Sequence, residues 1–173
     1  MEKPMPVDPM PVDLTKRWVA RFLDSLPFAL VVAPICLLAQ AKMIPMGVGI
    51  AVSVVMELAM FVYYVYMQNR DGQTLGKKHQ KIKVCKLDGS PVRLQEVLSR
   101  EIPILALALY SIIAHTLTPG RGYNVADVLM GVDMLCAAVR SDNRALHDLI
   151  AGTKVVAAPE VVLEKTNTVA ESR

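Results

Sequence analysis

The sequence has few of the residues that form disulfides or hold metals. Among 173 residues there are three cysteines and three histidines, and aromatic residues make up 5%. An odd number of cysteines without paired spacing predicts free thiols rather than a disulfide framework or a thiolate cage. The histidines do not form HExxH or a comparable ligand pattern. We therefore expect no metal and no cofactor. The three cysteines are Cys36, Cys85 and Cys136, and the three histidines are His79, His115 and His147.

Residue sets typical of active sites and nucleic-acid interfaces are also missing. No nucleophile, base and orienting group recur at a usable spacing, and the dipeptide His147-Asp148 alone is too common to indicate catalysis. No aromatic platform accompanies the lysines, which membrane topology explains. We therefore expect neither an enzyme nor a nucleic-acid-binding protein.

What the sequence does have is long apolar runs. Hydrophobic residues make up 53% of the chain, and its mean hydropathy is +0.37, which is high for a soluble protein. Residues 18–39 carry two charges, Arg21 and Asp24, and residues 45–67 carry one, Glu57. At about 1.5 Å per residue, either run can cross a hydrocarbon core of roughly 30 Å. Both are predicted transmembrane helices.

Two later runs are shorter. Residues 102–118 have no formal charge, and residues 123–139 carry Asp127 and Asp133. Length and charge count against spans, so re-entrant or interfacial helices are the alternative for both. The favoured fold is an all-α membrane protein with four transmembrane helices.

Lysine and arginine predict the orientation of these helices. The connection between the second and third runs holds eight Lys and Arg residues, whereas the other two connections hold only Lys42 and Arg121. The positive-inside rule therefore places both termini and the middle connection in the cytoplasm, which four crossings satisfy. We expect a multi-pass membrane protein in contact with anionic lipid headgroups.

The middle connection contains its own predicted structure. Residues 82–87 alternate as in a strand, with Ile82 and Val84 on one face and Cys85 on the other, and we expect this strand to pair with residues 153–158. Residues 92–100 are predicted to form a short amphipathic helix before the third span.

The ends of the chain differ from the part between them. The proline-rich arm at 1–14 and the polar tail at 158–173 are predicted to be disordered. Residues 15–157 are predicted to form one membrane domain.

Polar residues inside membrane helices are costly and are therefore the first functional candidates. Arg17, Arg21 and Asp24 share one helix face, and Asp24 leans toward Arg21 as its nearest ion partner. Glu57 lies near the bilayer centre, and Asp133 is expected to face the helices that bear Arg17, Arg21 or His115. For each residue the alternatives are a structural contact and a role in moving an ion or proton.

The stretch GQTLGKK at 72–78 does not match a phosphate-binding loop. Its second glycine comes one residue early, Lys78 replaces the required hydroxyl, and an apolar helix precedes it. We interpret it as the exit of the second helix, with Lys77 and Lys78 at the lipid headgroups.

Several short motifs occur in a fixed order around the predicted spans. They are RWVA at 17–20 followed by Asp24, GQTLGK at 72–77, KV at 83–84, DG at 88–89, Arg100 before the third run, LHDLIAGT at 146–153 and VV at 155–156. In this order they resemble the RDD family of bacterial multi-pass membrane proteins over about residues 15–157. His79 and Gln80 make the turn after GQTLGKK more polar than its relatives.

The resemblance implies roles for individual residues. The arginine and the first aspartate that name the family fall on Arg17 and Asp24, and the second aspartate falls on Asp148 or Asp133. The positions that match the family motifs are Gly72, Gln73, Thr74, Gly76, Lys77, Arg100, His147, Asp148, Gly152 and Thr153.

Two functions are consistent with these features. The first is a small cation/proton or solute transporter that acts as an oligomer, because some family members resemble cation/proton antiporters and four helices are few for alternating access. The second is a non-transporting scaffold or accessory subunit that binds a cytoplasmic or membrane partner through the basic connection.

Overall fold

The computed structural model describes residues 12–118 and 124–158. Most of the predicted arm and tail therefore lie outside the described residues, and the boundaries of the 15–157 domain stay a prediction. The described chain is mostly helical. Its elements are α1 (Leu14–Gln40), α2 (Met46–Asp71), α3 (Leu75–His79), β1 (Ile82–Lys86), α4 (Leu94–Leu117), α5 (Val125–Val139), α6 (Leu146–Ile150) and β2 (Thr153–Ala157).

Three of the described helices are long and apolar enough to cross a membrane. They are α1, α2 and α4, and only a small share of each apolar stretch is buried inside the protein. Val62 on α2 and Ile113 on α4, for example, are more than half exposed. Such outward apolar faces are suited to contact with lipid. The prediction of an apolar, membrane-type helical fold is confirmed for these three helices.

The predicted fourth span corresponds to α5, which has 15 residues. At about 1.5 Å per residue it is about 22 Å long, less than the roughly 30 Å of a hydrocarbon core. It packs against α4, and the chain after it returns to β1 through β2. α5 therefore runs back toward the end of the bundle at which α4 begins.

The predicted amphipathic helix at 92–100 is not a separate element. α4 begins at Leu94 and continues through Pro103 to Leu117. The Glu96 carboxylate accepts a hydrogen bond from the Arg93 amide at 2.8 Å, which caps the start. Because the helix continues into the apolar run, its backbone groups stay hydrogen-bonded there, and this favours one helix over two.

The predicted strand pairing is confirmed. β1 and β2 form a two-stranded antiparallel sheet in which Ile82 lies opposite Ala157 and Lys86 lies opposite Thr153. Cys85, which lies on the other face of β1, is buried as well as Ile82 and Val84. The chain after β1 folds back in a turn and forms a β-bridge between Cys85 and Pro91, so β1 has a backbone neighbour in addition to β2.

The hydrophobic core of the described residues lies beside the sheet and not along the apolar helices. Its members come from α1, the sheet, the first turns of α4 and the residues just before each of these two helices. They are Val12, Ala20, Ile82, Val84, Val92, Val97 and Val155. The part of the bundle that carries α3, α6 and the sheet is here called the sheet end. The opposite end carries the connection between α1 and α2 at residues 41–45.

The two ends of the bundle are predicted to lie on opposite sides of the membrane. In a variant without native cysteines, Lys42→Cys at the opposite end and Leu87→Cys at the sheet end both place a thiol at an exposed position. We expect a membrane-impermeant maleimide to label position 42 but not position 87 in intact cells. Both positions should be labelled after the cells are permeabilised. Labelling of position 87 in intact cells would contradict the orientation.

Candidate functional site

The segment GQTLGK joins α2 to the sheet through backbone contacts. Gly72 ends α2 in a left-handed conformation with φ of 68°, and its carbonyl accepts a 2.8 Å hydrogen bond from the Val84 amide. A Cβ at position 72 would lie 2.7 Å from the Val84 carbonyl oxygen, so only glycine fits. The Gln73 side chain donates to the Ile82 carbonyl at 2.8 Å. These contacts fix β1 beneath the end of α2.

Asp24 of α1 is bound by the same segment. Its carboxylate accepts hydrogen bonds from the Thr74 hydroxyl, from the Gly76 amide at 2.8 Å and from the Tyr63 hydroxyl at 2.8 Å. Asp24 is only 4% exposed. Among the described residues it forms no ion pair with Arg21, so the predicted pair is wrong. The donors of α2 and α3 approach Asp24 more closely than its neighbour on α1 does.

Gly76 brings the backbone of α3 directly against α1. A Cβ added at this position would lie 2.1 Å from the Ala20 carbonyl oxygen and 3.0 Å from the Asp24 carboxyl carbon. No side chain fits into this space without moving one of the helices. Gly76 therefore permits the hydrogen bond between its own amide and Asp24.

Asp148 of α6 lies between two arginines. Arg17 of α1 and Arg100 of α4 each bind one of its carboxylate oxygens, and Asp148 is fully buried. Burial alone would raise the pKa of Asp148, but the charges of Arg100 and Arg17 outweigh it and hold that pKa well below its ordinary value. Asp148, and not Asp133, is thus the aspartate that pairs with Arg17.

The remaining positions of the last motif surround Asp148. Arg100 also donates to the Thr153 hydroxyl at 3.3 Å. Gly152 turns the chain from α6 into β2 with φ of 63°. The pair formed by Arg100 and Asp148 is therefore connected directly to the start of the second strand.

Asp133 of α5 pairs with His147. The imidazole Nδ1 lies 2.7 Å from the Asp133 carboxylate, and the His147 amide donates to the same carboxylate at 2.8 Å. Burial and the charge of Arg100 lower the pKa of His147, which favours the neutral ring. Asp133 lies in a crevice that Arg21 of α1 and residues of α4 also line, but its carboxylate pairs with none of Arg17, Arg21 and His115. His115 instead lies 3.1 Å from Asp127.

Arg21 takes part in a second cluster with α2 and α4. Its guanidinium lies 4.3 Å from the centre of the Tyr64 ring and 3.8 Å from the Glu101 carboxylate. Gln68 donates to the same carboxylate at 2.7 Å. Arg21 therefore neutralises an acid on another helix instead of the acid one turn away.

Lys77 completes this cluster. Its ammonium donates to the Gln68 side chain at 3.1 Å, and the residue is only 9% exposed. Burial, with the nearby charge of Arg100, lowers the pKa of Lys77 to about 7. The expected position of Lys77 at lipid headgroups is therefore wrong. Lys78 is exposed, and its ammonium pairs with Asp71 at 2.5 Å.

Glu57 is half-buried and has a different environment from the buried acids. It lines a cavity of about 810 Å³ between α1, α2, α4 and α5, together with Ser53, Ser111 and His115. Within the described residues, no hydrogen bond or ion pair holds its carboxylate. Glu57 is thus an acid in an apolar helix that faces a space with several polar groups.

Several contact residues have no signal in the sequence that singled them out. Glu101, Gln68, Tyr63 and Tyr64 lie at the edges of apolar runs, where polar residues are common. Only the adjacency of Glu101 to Arg100 at the start of the third run could have drawn attention to it. In the part of the chain that the structure describes, no group of three His, Cys, Asp or Glu side chains could hold a metal ion.

The sequence of this chain matches a known family. The family model for the RDD family matches residues 11–152, which is most of the chain. This range contains Arg17, Asp24, the GQTLGK segment and Asp148. No curated protein and no solved structure matches the chain.

The close approach at Gly76 predicts a large effect of a single methyl group. Gly76→Ala should destabilise the protein by about 3 kcal/mol, because its Cβ overlaps the backbone of α1. The matched control is Gly47→Ala, since a Cβ at position 47 meets nothing within 4 Å. Denaturant unfolding in a mild detergent measures both changes. Equal stability of the two variants would show that α3 does not pack on α1 in this way.

Proposed function

Because the chain belongs to the RDD family of membrane proteins, we propose that it is a small cation/proton or solute transporter that acts as an oligomer. The observation that carries this proposal is Glu57. It is a carboxylate near the middle of an apolar helix, it faces a cavity of about 810 Å³, and no described residue holds it by a hydrogen bond or ion pair. Intramembrane acids of this kind are costly and typically mark ion or proton sites.

The buried acids are poorer candidates for exchange because their oxygens are already bound. Asp24 accepts three hydrogen bonds, Asp148 is held by two arginines, and Glu101 is held by Gln68 and Arg21. A cation or proton that reached them would have to displace these donors. At Glu57 a cation or proton would displace no hydrogen-bond donor among the described residues.

The cavity itself supports a route to Glu57. Ser53, Ser111, His115 and Thr116 supply polar groups along it. His115 and Thr116 lie in the last turns of α4, at the opposite end of the bundle, so the polar lining extends from that end to the middle of α2. A hydrated cation entering there would compete with a proton for the Glu57 carboxylate.

The small number of helices supports the proposed oligomer. Three helices are long enough to cross a membrane and α5 is shorter, which is too few to close a pathway on all sides. A second copy would supply the missing wall. The return of the chain to the sheet end supports four crossings, with both termini on the cytoplasmic side of a bacterial cytoplasmic membrane.

Liposomes with an internal pH dye test the proposal. Addition of Na⁺, K⁺ or Li⁺ outside should move protons when the parent protein is present. Glu57→Gln should reduce this flux to the level of protein-free liposomes, because the amide cannot exchange a proton or bind a cation by charge. Asp88→Asn removes an exposed acid on the turn after β1 and should transport like the parent.

Two results would refute the transporter proposal. One is the absence of proton movement with any of the three cations, and the other is equal flux for Glu57→Gln and the parent. Either result would favour the accessory-subunit alternative. In that case crosslinking of intact cells should capture a stoichiometric partner at the basic sheet end.

A further inference from the structure

A small pocket at the sheet end is lined by cationic side chains from three helices. Arg17 and Arg21 come from α1, Lys77 from α3 and Arg100 from α4, and they surround a space of about 50 Å³. This space has room for roughly three to five water-sized groups. Asp24 is a carboxylate in the lining, and both of its oxygens are occupied by hydrogen bonds from α2 and α3.

Several donors around this pocket are not used by the protein, and those of Lys77 and Arg100 are buried whereas Arg21 is about one third exposed. Arg21 makes no hydrogen bond to any described residue, and its ion pair with Glu101 is long at 3.8 Å. The Lys77 ammonium uses one of its three donors, on Gln68. The Arg100 Nε is buried, has no hydrogen-bond partner in the described part of the chain, and lies 3.5 Å from Glu101. Unused buried donors are costly, so a ligand with acceptor oxygens would stabilise them.

An apolar crevice continues from the pocket. Trp18, Arg21, Met134 and His147 line both spaces, so the two are contiguous. The crevice has a volume of about 450 Å³, within the range of ligand sites, and its walls are formed mainly by apolar residues of α4 and α5. Asp133 also lies in this wall, and its carboxylate is bound to His147.

We propose that the pocket and crevice together bind one anionic phospholipid, with its phosphate among Arg17, Arg21, Lys77 and Arg100 and an acyl chain in the crevice. The phosphate oxygens accept the hydrogen bonds that Arg21, Lys77 and Arg100 leave unused. The acyl chain fills the gap between α1 and the helices α4 and α5. Neither part of the site depends on Glu57 or on transport.

The charge balance of the pocket agrees with an anionic ligand. Arg17 and Arg100 share Asp148, and Arg21 has Glu101 as a distant partner. Lys77 has only the neutral Gln68 as a hydrogen-bond partner for its ammonium in the described chain. Burial and Arg100 lower its pKa to about 7, so a neighbouring phosphate would favour its charged form.

Lipid titrations of the purified full-length protein in neutral detergent test this site. Native mass spectrometry should detect one phosphatidylglycerol per chain, bound about tenfold more tightly than phosphatidylcholine, whose choline cation opposes the basic pocket. Inorganic phosphate alone at the same concentration should not raise the unfolding temperature. Equal binding of the two lipids, or equal stabilisation by inorganic phosphate, would overturn the proposal.

Matched variants locate the two halves of the site. Arg21→Gln should weaken phosphatidylglycerol binding about tenfold, as expected for one charge-assisted hydrogen bond, whereas the exposed Lys78→Gln should not. Met134→Trp should fill the crevice and weaken binding, whereas Leu135→Trp, at an exposed position of the same helix, should not. If Arg21→Gln does not fold, the second pair decides. Parent-like binding by Met134→Trp would then refute the site.

Discussion

The position of Asp148 between Arg17 and Arg100 is the interaction on which the sheet end of this protein depends. It joins α6 to the first and third long helices, and those residues are far apart in the sequence. Apolar helices in lipid gain little specificity from their outward faces, because lipid tails are as apolar as the side chains. A buried carboxylate with two guanidinium partners has few alternative positions. It therefore fixes which helices are neighbours and where β2 begins.

A second buried acid, Asp24, holds α3 against α1 at the sheet end. Asp24 binds the start of α3, and Gly76 allows α3 to approach α1 closely enough for this contact. Gly72 and Gln73 then connect the segment to β1. In this structure the residues of these motifs thus connect the helices to one another and to the sheet. This leaves Glu57, which lies outside the motifs, as the better candidate for ion or proton exchange.

The sequence predicts the helices and strands well, but it predicts less well which side chains contact one another. Runs without charge predict helices, and alternation in residues 82–86 predicts a strand, because both patterns depend only on neighbouring residues. The choice of Arg21 as the partner of Asp24 failed for the same reason. Spacing on one helix cannot show that Thr74 and Gly76 offer Asp24 better donors, or that Glu101 attracts Arg21 from another helix. Lys77 was misplaced because a lysine after a span usually reaches toward headgroups, whereas here α3 folds inward.

The sheet end depends most directly on the buried charge of Asp148, and one stability comparison tests this dependence. Asp148→Asn should lower the free energy of unfolding in detergent by about 3–5 kcal/mol, because it leaves Arg17 and Arg100 without their shared carboxylate. The control is Asp142→Asn, which removes a partly exposed acid paired with Arg140 and should cost about 1 kcal/mol or less. Equal effects of the two substitutions would contradict the assignment of Asp148 as the central contact of the fold.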